Sequence, residues 1–381
     1  MDLITHFLVP YIILAALKSK NKLAGAFGGI SLDFDTIFVA WIGLLSPQLF
    51  IFSHRGITHS FIFALITSTI FLYVLSRKQV NGFISSIIRR DISVEFTKTT
   101  IGIAYFGALT HLFLDFLTTK GIPLFYPFSI TRYAAEIYPA VDIIITVLAV
   151  ITLLVIYLNA GQKCKTLKNQ SQQKSEIFVA CKTENFAVRE TKFPSTSNRR
   201  FDRFLGHAKI SDFYGCKSKI CKHRKFTKFS SETTMAVFMI VLVSFGCIMA
   251  YEKSNALGAE TLTLNSSYNH VSAYPTQNMF LWDIVKSNSQ NSSYITSEYN
   301  TLQNQESNIK TFNTPSIENG SYQSAEKAIN TANNLPVVER FKWNSYYALI
   351  NAEYSSGKWK ITYYDIVNSW TENNVTVTVP S

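Results

Sequence analysis

Phe52-Ser53-His54-Arg55-Gly56-Ile57-Thr58-His59-Ser60 sets two His, an Arg, two Ser and a Thr within nine residues, between apolar runs on both sides. Two further pieces share its character: Asp33-Phe34-Asp35 upstream, and His111 with Asp115 downstream. The chain has 7 His, and four of them (His6, His54, His59 and His111) lie in its first third, beside carboxylates and inside hydrophobic sequence. Ionisable groups in such surroundings are costly and mark function by default. How the flanking runs are arranged therefore decides both the fold and the site.

Over 381 residues the chain is 47% hydrophobic and only 16% charged, well below the roughly 25% charge of soluble domains. With a positive mean hydropathy, 29 Phe and 19 Tyr, this composition points to a membrane protein. The hydrophobicity concentrates in residues 1–158 and in the run 235–251. Between 159 and 234 there are 17 Lys and Arg against 6 Asp and Glu. A basic segment between apolar runs is the signature of a cytoplasmic loop. Topology accounts for the charge, so no nucleic-acid partner is expected. Five Cys without regular pairing do not make a disulfide framework, and no cleavable signal peptide is expected, because the basic residues follow the first apolar run. In the basic loop, His207, Cys216, Cys221 and His223 fall outside the tighter zinc-finger spacings. They read as part of a solvated basic loop.

The expected fold is mainly α: a polytopic transmembrane bundle of about five helices, an interfacial or re-entrant segment and a further crossing, with a small β-rich extracytoplasmic C-terminal region. The expected domains are a transmembrane part (1–158), the basic cytoplasmic loop (159–234) and a further transmembrane helix (235–251). A polar flexible segment (252–334) and a small β-rich unit (335–381) complete the chain. The re-entrant segment is 36–52. If it crossed, His54 and His59 would stand on the face opposite Asp33 and Asp35; if it re-enters, all four meet at the outer face. Both termini are then extracytoplasmic in a multi-pass protein of the cell membrane. Residues 336–379 alternate as antiparallel strands do. The Asn/Ser/Thr-rich stretch before them reads as loosely structured.

The chemistry-bearing set is His6, Asp33, Asp35, His54, His59, His111 and Asp115. His111 and Asp115, four apart, share one face of a helix. A mixed imidazole and carboxylate shell suits Zn, and also Mn, Fe or Ni, and seven candidates can hold one ion or two. Thr58, Ser60 and Asp142 are candidates to hydrogen-bond the ligands, though Asp142 is equally placed to cap the last helix of the region. Such a site yields a hydroxide nucleophile near neutral pH, with Asp35 or His59 as general base and Arg55 facing a phosphate or carboxylate of the substrate. Metal-assisted hydrolysis of an ester or phosphoester on a lipid or envelope-linked substrate at the outer face is the expected reaction. The alternative is a non-catalytic metal-binding membrane protein or transporter, in which His and Asp line an ion path. A structural or sensory membrane protein is a third reading. Membrane lipids are the expected partners, and the sequence does not indicate an oligomeric state.

Residues 1–158 resemble the family of membrane-bound metal-dependent hydrolases typified by the bacterial inner-membrane protein YdjM, the DUF457 family. The likeness rests on Thr5-His6, Leu32-Asp33-Phe34-Asp35, the run from His54 through Arg55-Gly56-Ile57-Thr58-His59 to Ser60, and Leu109 to Asp115. It continues through Thr118, Gly121, Pro123 and Pro127-Phe128-Ser129. Ser31 stands where the family has Pro, a change of turn residue that leaves the candidate ligands intact. The resemblance implies a metal-dependent hydrolase and does not supply a substrate.

Overall fold

A computed structural model describes residues 1–38, 47–88, 94–158, 231–262, 268–288, 290, 292–367 and 374–380. The chain divides into two compact units, Met1–Leu153 with Met235–Ser381, and Leu154–Thr234. Most of the second lies outside the described residues, including the basic loop and the Cys216, Cys221, His207 and His223 set. So does the stretch 39–46 of the expected re-entrant segment.

Helix α1 (Leu3–Ala16) starts where Asp2 accepts hydrogen bonds from the Ile4 and Thr5 N–H groups. This satisfies two of the donors that every helix N-terminus leaves unpaired. The glycine-rich α2 (Lys22–Ile30) packs between α1 and the long helix over Lys98–Phe116. A Cβ built on Gly107 would lie 1.9 Å from the Gly25 carbonyl oxygen. Small residues therefore bring the two backbones into direct contact. After α2 come a one-turn helix, α3 (Asp35–Phe38), and 3₁₀ turns over Pro47–Phe52 and Ile57–His59. Then follow α4 (Phe61–Leu75), α5 (Lys78–Ile88) and α6 (Lys98–Phe116), the last opened by a reciprocal Thr97–Thr100 capping box. A long loop leads to α7 (Ile143–Leu158), and α8 spans Ser231–Leu262.

Beyond α8 lie two four-stranded sheets. Strands β1 (His270–Pro275), β2 (Leu281–Ser287), β3 (Ser293–Asn300) and β4 (Gln305–Asn313) form an antiparallel meander in chain order. In the second sheet β5 (Ser316–Glu318) pairs parallel with β6 (Ala348–Ser355). Antiparallel β7 (Lys358–Asp365) and β8 (Asn374–Pro380) follow. Helices α9 (Tyr322–Asn333) and α10 (Pro336–Asn344) cover it, with Ala325, Ile329, Val338 and Phe341 packed on Trp359, Ile361 and Tyr363. Trp359 is fully buried, and its indole N–H donates to Ser324. Burying an aromatic of this size stabilises by about 4–6 kcal/mol of transfer free energy. Tyr274, Val285, Tyr294, Leu349 and Val367 join the two sheets. Lys286 of β2 is shared between Glu260 at the end of α8 and Glu306 of β4, tying the sheet to the helix.

This architecture is not the expected polytopic bundle. Among the described residues one helix, α8, is long and apolar enough to cross a membrane. A second span results only if Phe61–Leu75 and Lys78–Ile87, bent by 79°, are taken as one. The physical reason is length and polarity. Helix α1 has 14 residues, about 21 Å of rise, against a hydrocarbon core of about 30 Å. Helix α6 is long enough but carries Lys98, His111 and Asp115. The expected crossing over 235–251 is the middle of the longer α8. The expectation of a flexible 252–334 is also corrected, because β1 to β5 and α9 lie there. Exposed apolar faces remain on α4 (Ile62, Ile66, Ile70), α7 (Ile143, Ile144, Val147, Ile151) and α8 (Ile240, Val243, Tyr251). Surfaces of this kind suit contact with lipid.

Candidate metal centre

Four segments bring the polar set together. His6 lies on the first turns of α1, placed by the Asp2 cap. Asp33 and Asp35 come from the turn after α2, where successive backbone bonds from Asp35 to Leu32 and from Thr36 to Asp33 hold the chain tight. His59 ends the 3₁₀ turn ahead of α4, and His111 with Asp115 line the inner face of α6. His6, His59, His111 and Asp115 are fully buried.

Their donor atoms converge. His111 Nε2 lies 3.2 Å from His59 Nε2, 3.6 Å from Asp33 Oδ1 and 3.4 Å from Asp115 Oδ2. His59 Nε2 lies 3.5 Å from Asp115 Oδ2 and 3.9 Å from Asp33 Oδ1. The His6 ring stacks on His111 at 3.6 Å, with its Nε2 3.4 Å from Asp115 Oδ1. Three triads, each with its donor atoms within 4.8 Å of one another, share members: His6, His111 and Asp115; Asp33, His59 and His111; Asp35, His54 and His59. These residues are positioned to hold a metal ion.

The hydrogen bonds assign the tautomers. His111 Nδ1 is 2.6 Å from the Gly29 carbonyl, which can only accept, so Nδ1 carries the proton and Nε2 the lone pair. His59 Nδ1 faces Thr58 Oγ1 at 2.9 Å and Asp35 Oδ2 at 3.4 Å, which likewise leaves Nε2 with the lone pair. In the neutral rings these lone pairs face each other at 3.2 Å, an arrangement that either a shared proton or a metal cation between them relieves. Both ring nitrogens of His6 and Oδ2 of Asp115 are buried with no hydrogen-bond partner among the described residues. Each unpaired buried polar atom costs about 1–3 kcal/mol. A divalent ion fits this donor set, and oriented imidazoles backed by carbonyl and carboxylate groups are the usual surroundings of one.

Around the ligands, Asp35 accepts hydrogen bonds from Thr58 (2.6 Å) and bonds His54 Nδ1 (2.9 Å). Burial opposes ionisation of Asp35, but its bonds with His54 and His59 outweigh that and hold the carboxyl well below the usual range. Arg55 is buried, donating to Asp115 Oδ1 (2.9 Å), Thr118 Oγ1 (3.1 Å) and the Thr119 carbonyl (3.3 Å). The Met1 amino group also donates to Asp115 Oδ1, at 2.7 Å. Arg55 has a φ of 61°, and a Cβ on Gly56 would meet the Ile51 carbonyl oxygen at 1.9 Å. The Arg-Gly pair is thus a tight reversal that turns the guanidinium inward while the chain passes close beneath Ile51.

Two expected contacts are absent from the cluster. Ser60 Oγ donates to the Ile57 carbonyl and touches no ligand. Asp142 accepts from Ile145 N–H at the start of α7. Arg55, expected to face substrate, spends both terminal nitrogens on Asp115 and the 118–119 backbone and side chain. Asp2, Gly29 and Thr118 were not singled out for these roles. Asp2 could have been recognised as a capping residue four positions before His6. A backbone acceptor such as Gly29 leaves no trace in side-chain chemistry.

Residues 1–182 match the family model described as YdjM inner membrane protein. The match covers a little under half of the chain, makes this part similar to that family and supports a membrane location. The matched part contributes all seven converging His and Asp residues and the loop that meets the C-terminal region. Nothing among curated proteins or solved structures matches the chain.

Proposed function

We propose that the protein is a membrane metal-dependent hydrolase acting at the outer membrane face on an ester or phosphoester of a lipid or envelope-linked substrate. The observation that carries this reading is the pair of opposed imidazole lone pairs at 3.2 Å beside the unpartnered Asp115 oxygen. A divalent ion, Zn first and Mn, Fe or Ni next, would supply Lewis acidity and bring the pKa of a bound water to about 7. The three shared triads are compatible with one ion or two.

The chain's own residues have separable tasks. Asp115, His6, His59, His111 and Asp33 would hold the ion. Asp35 orients both His59 and His54. His54 is the exposed member, with Nδ1 on Asp35, so it links the site to solvent. Arg55 positions Asp115 rather than gripping substrate.

The charge order around α8 supports this side of the membrane. The basic segment 159–230 precedes it, and Lys/Arg-rich segments stay cytoplasmic, so the region after α8 would face outward. That C-terminal region touches the 118–141 loop. Trp343 donates to the Ile130 carbonyl, and Gln277 to the Val141 carbonyl. The same loop holds Arg55 through Thr118 and Thr119. The rim of the site thus shares the side of the C-terminal region.

The test is metal content of the purified full chain by mass spectrometry, beside a lipid and phosphoester hydrolysis screen with and without chelator. We expect at least one bound divalent ion, lost in Asp115→Ala, and chelator-sensitive turnover. Metal without turnover would favour a non-catalytic metal-binding protein. Absence of metal from both wild type and variant sinks the site.

A further inference from the structure

Beyond the His and Asp cluster, a cavity of about 430 Å³ lies between the 118–138 loop and the C-terminal region. Its walls include Lys120, Arg132 and Glu136 from the loop, and Trp343, Asn344 and Tyr346 from the C-terminal side. The size is that of a small-ligand site.

The cavity is built around cations. Arg132 donates to the Gly121 carbonyl (2.9 Å) and to Asn344 Oδ1 (3.0 Å), and its guanidinium lies 4.6 Å from the Trp343 ring centroid. Its hydrogen-bond acceptors are neutral. Lys120 is half-buried, and the Tyr346 hydroxyl accepts its backbone N–H. Among the described residues, no carboxylate comes within ion-pair distance of Lys120 or Arg132. The one carboxylate on the wall, Glu136, is paired with Lys253 at 3.3 Å. Lys342 also lines the wall, with its amine on Asn333 Oδ1 (2.7 Å), and Arg55 adds a further positive charge nearby. Burial, then the charges of Arg55 and Arg132, pull the Lys120 amine down to about 8. Burial and Arg55 pull Arg132 down to about 10. Cations that weaken one another in this way are poised for an anion, whose binding relieves both the desolvation and the mutual repulsion.

We propose that this cavity is an anion subsite for a phosphate group, completed by the C-terminal region and lying next to the metal centre. The chemistry favours phosphate over a carboxylate. Gly121 and Asn344 take three of the five N–H groups of Arg132 and hold it against Trp343, leaving one on each Nη, and Lys120 adds a point charge, a pairing suited to a tetrahedral oxyanion with several acceptor oxygens. Arg55 links the subsite to the cluster, since it bonds Asp115 on one side and the Thr119 carbonyl, adjacent to Lys120, on the other. A substrate phosphate seated here would put a neighbouring ester bond toward the metal ligands. That last step rests on the hydrolase reading; phosphate binding itself does not.

The experiment is calorimetric titration of the chelator-treated full chain, in non-ionic detergent, with inorganic phosphate and separately with a short-chain phosphatidylglycerol. We expect saturable binding, weakened at least tenfold by Lys120→Asn and by Arg132→Met. Lys120 has a φ of 77°, a conformation Asn accepts, so Lys120→Asn should keep the fold even if Arg132→Met does not. Tighter binding of the phospholipid names a headgroup as the source, and tighter binding of phosphate names a soluble anion. Lys358→Asn, an exposed site on β7 outside the cavity lining, should bind phosphate like wild type. No binding of either probe, equal binding in Lys120→Asn, or an equal loss of binding in Lys358→Asn would overturn the subsite. Failure of the metal reading alone would leave the phosphate titration intact.

Discussion

Removing the ion should cost stability by an amount set by the buried donors. Without it, His6 Nε2 and Asp115 Oδ2 are unpartnered and His59 Nε2 opposes His111 Nε2 at 3.2 Å. Re-engaging two orphan atoms is worth about 2–6 kcal/mol at 1–3 kcal/mol each. By mass action, an ion at a hundred times its dissociation constant stabilises the folded state by about 2.7 kcal/mol, inside that range. For a unit of this size each kcal/mol raises the melting temperature by roughly 2–4 °C, so the expected gain is about 5–10 °C.

The assay is fluorescence-monitored melting of the chelator-stripped full chain in detergent, with and without Zn or Mn. His111 belongs to two of the three triads, so His111→Ala should abolish the gain. His54 belongs to one and is exposed, so His54→Ala should keep most of it. Asp33 lies in a turn rather than a helix, and Asp33→Asn gives a second ligand variant with little cost to the fold; it should lose at least half the gain. The reasoning is refuted if no divalent ion among Zn, Mn, Fe(II) and Ni shifts the wild type, or if His111→Ala gains as much as the wild type does.

Arg55→Met leaves Asp115 without its buried guanidinium and should cost about 3–5 kcal/mol, read as a lower urea midpoint, with metal content reduced alongside. Arg55→Lys keeps the charge but not the fork to Thr118 and Thr119, and should fall between the two. Gly107→Ala forces a methyl to 1.9 Å from the Gly25 oxygen, so α2 and α6 must part; a loss of at least about 1–3 kcal/mol is expected, and a melting curve equal to wild type would contradict the close approach. Asp283, with its carboxyl raised to about 6 by burial and by Glu298, is an acid whose folded pKa exceeds its unfolded value near 4. Its ionisation therefore costs stability, fully so above pH 6 and not at all below pH 4. Asp283→Asn should melt higher than wild type at pH 8, by about 1 kcal/mol after allowing for the solvent-screened part of the carboxyl, and the two curves should meet near pH 4.

The chemistry was legible in the sequence where it depended on residue type and short spacing. His54 to Ser60, the Asp33/Asp35 turn and the His111/Asp115 pair were all readable as polar groups in apolar sequence. What they touch was not. Arg55 is 60 residues from Asp115, and nothing local distinguishes a guanidinium aimed at substrate from one aimed at a ligand. The number of crossings was misread because composition reports apolarity and not helix length. Leu3–Ala16 is apolar throughout much of its length yet ends after 14 residues, and α6 trades hydropathy for ligands. The first sheet was misread for the opposite reason. Strand β4 (Gln305–Asn313) is polar and largely exposed on both faces, so it lacks the alternation that marks a half-buried strand. Strand β2, two strands away across β3, buries most of both faces and does not alternate either. Strand pairing, a long-range property, organises what neither segment announces alone.

The position of the C-terminal region changes how the metal centre must be understood. One loop serves both halves of the chain. On its inner side Thr118 and the Thr119 carbonyl hold Arg55, and Arg55 holds Asp115. On its outer side Lys120, Ile130 and Arg132 receive Tyr346, Trp343 and Asn344. Only His54 among the seven His and Asp residues is exposed, so the cluster opens to solvent on the side where His54, Arg55 and this loop lie. The C-terminal region stands on that same side. A segment outside the family match therefore walls the approach to chemistry that lies wholly within it. Under the proposed hydrolase reading, substrate choice would reside in the pairing of the two, which is why the motif alone predicts a metal and leaves the substrate open.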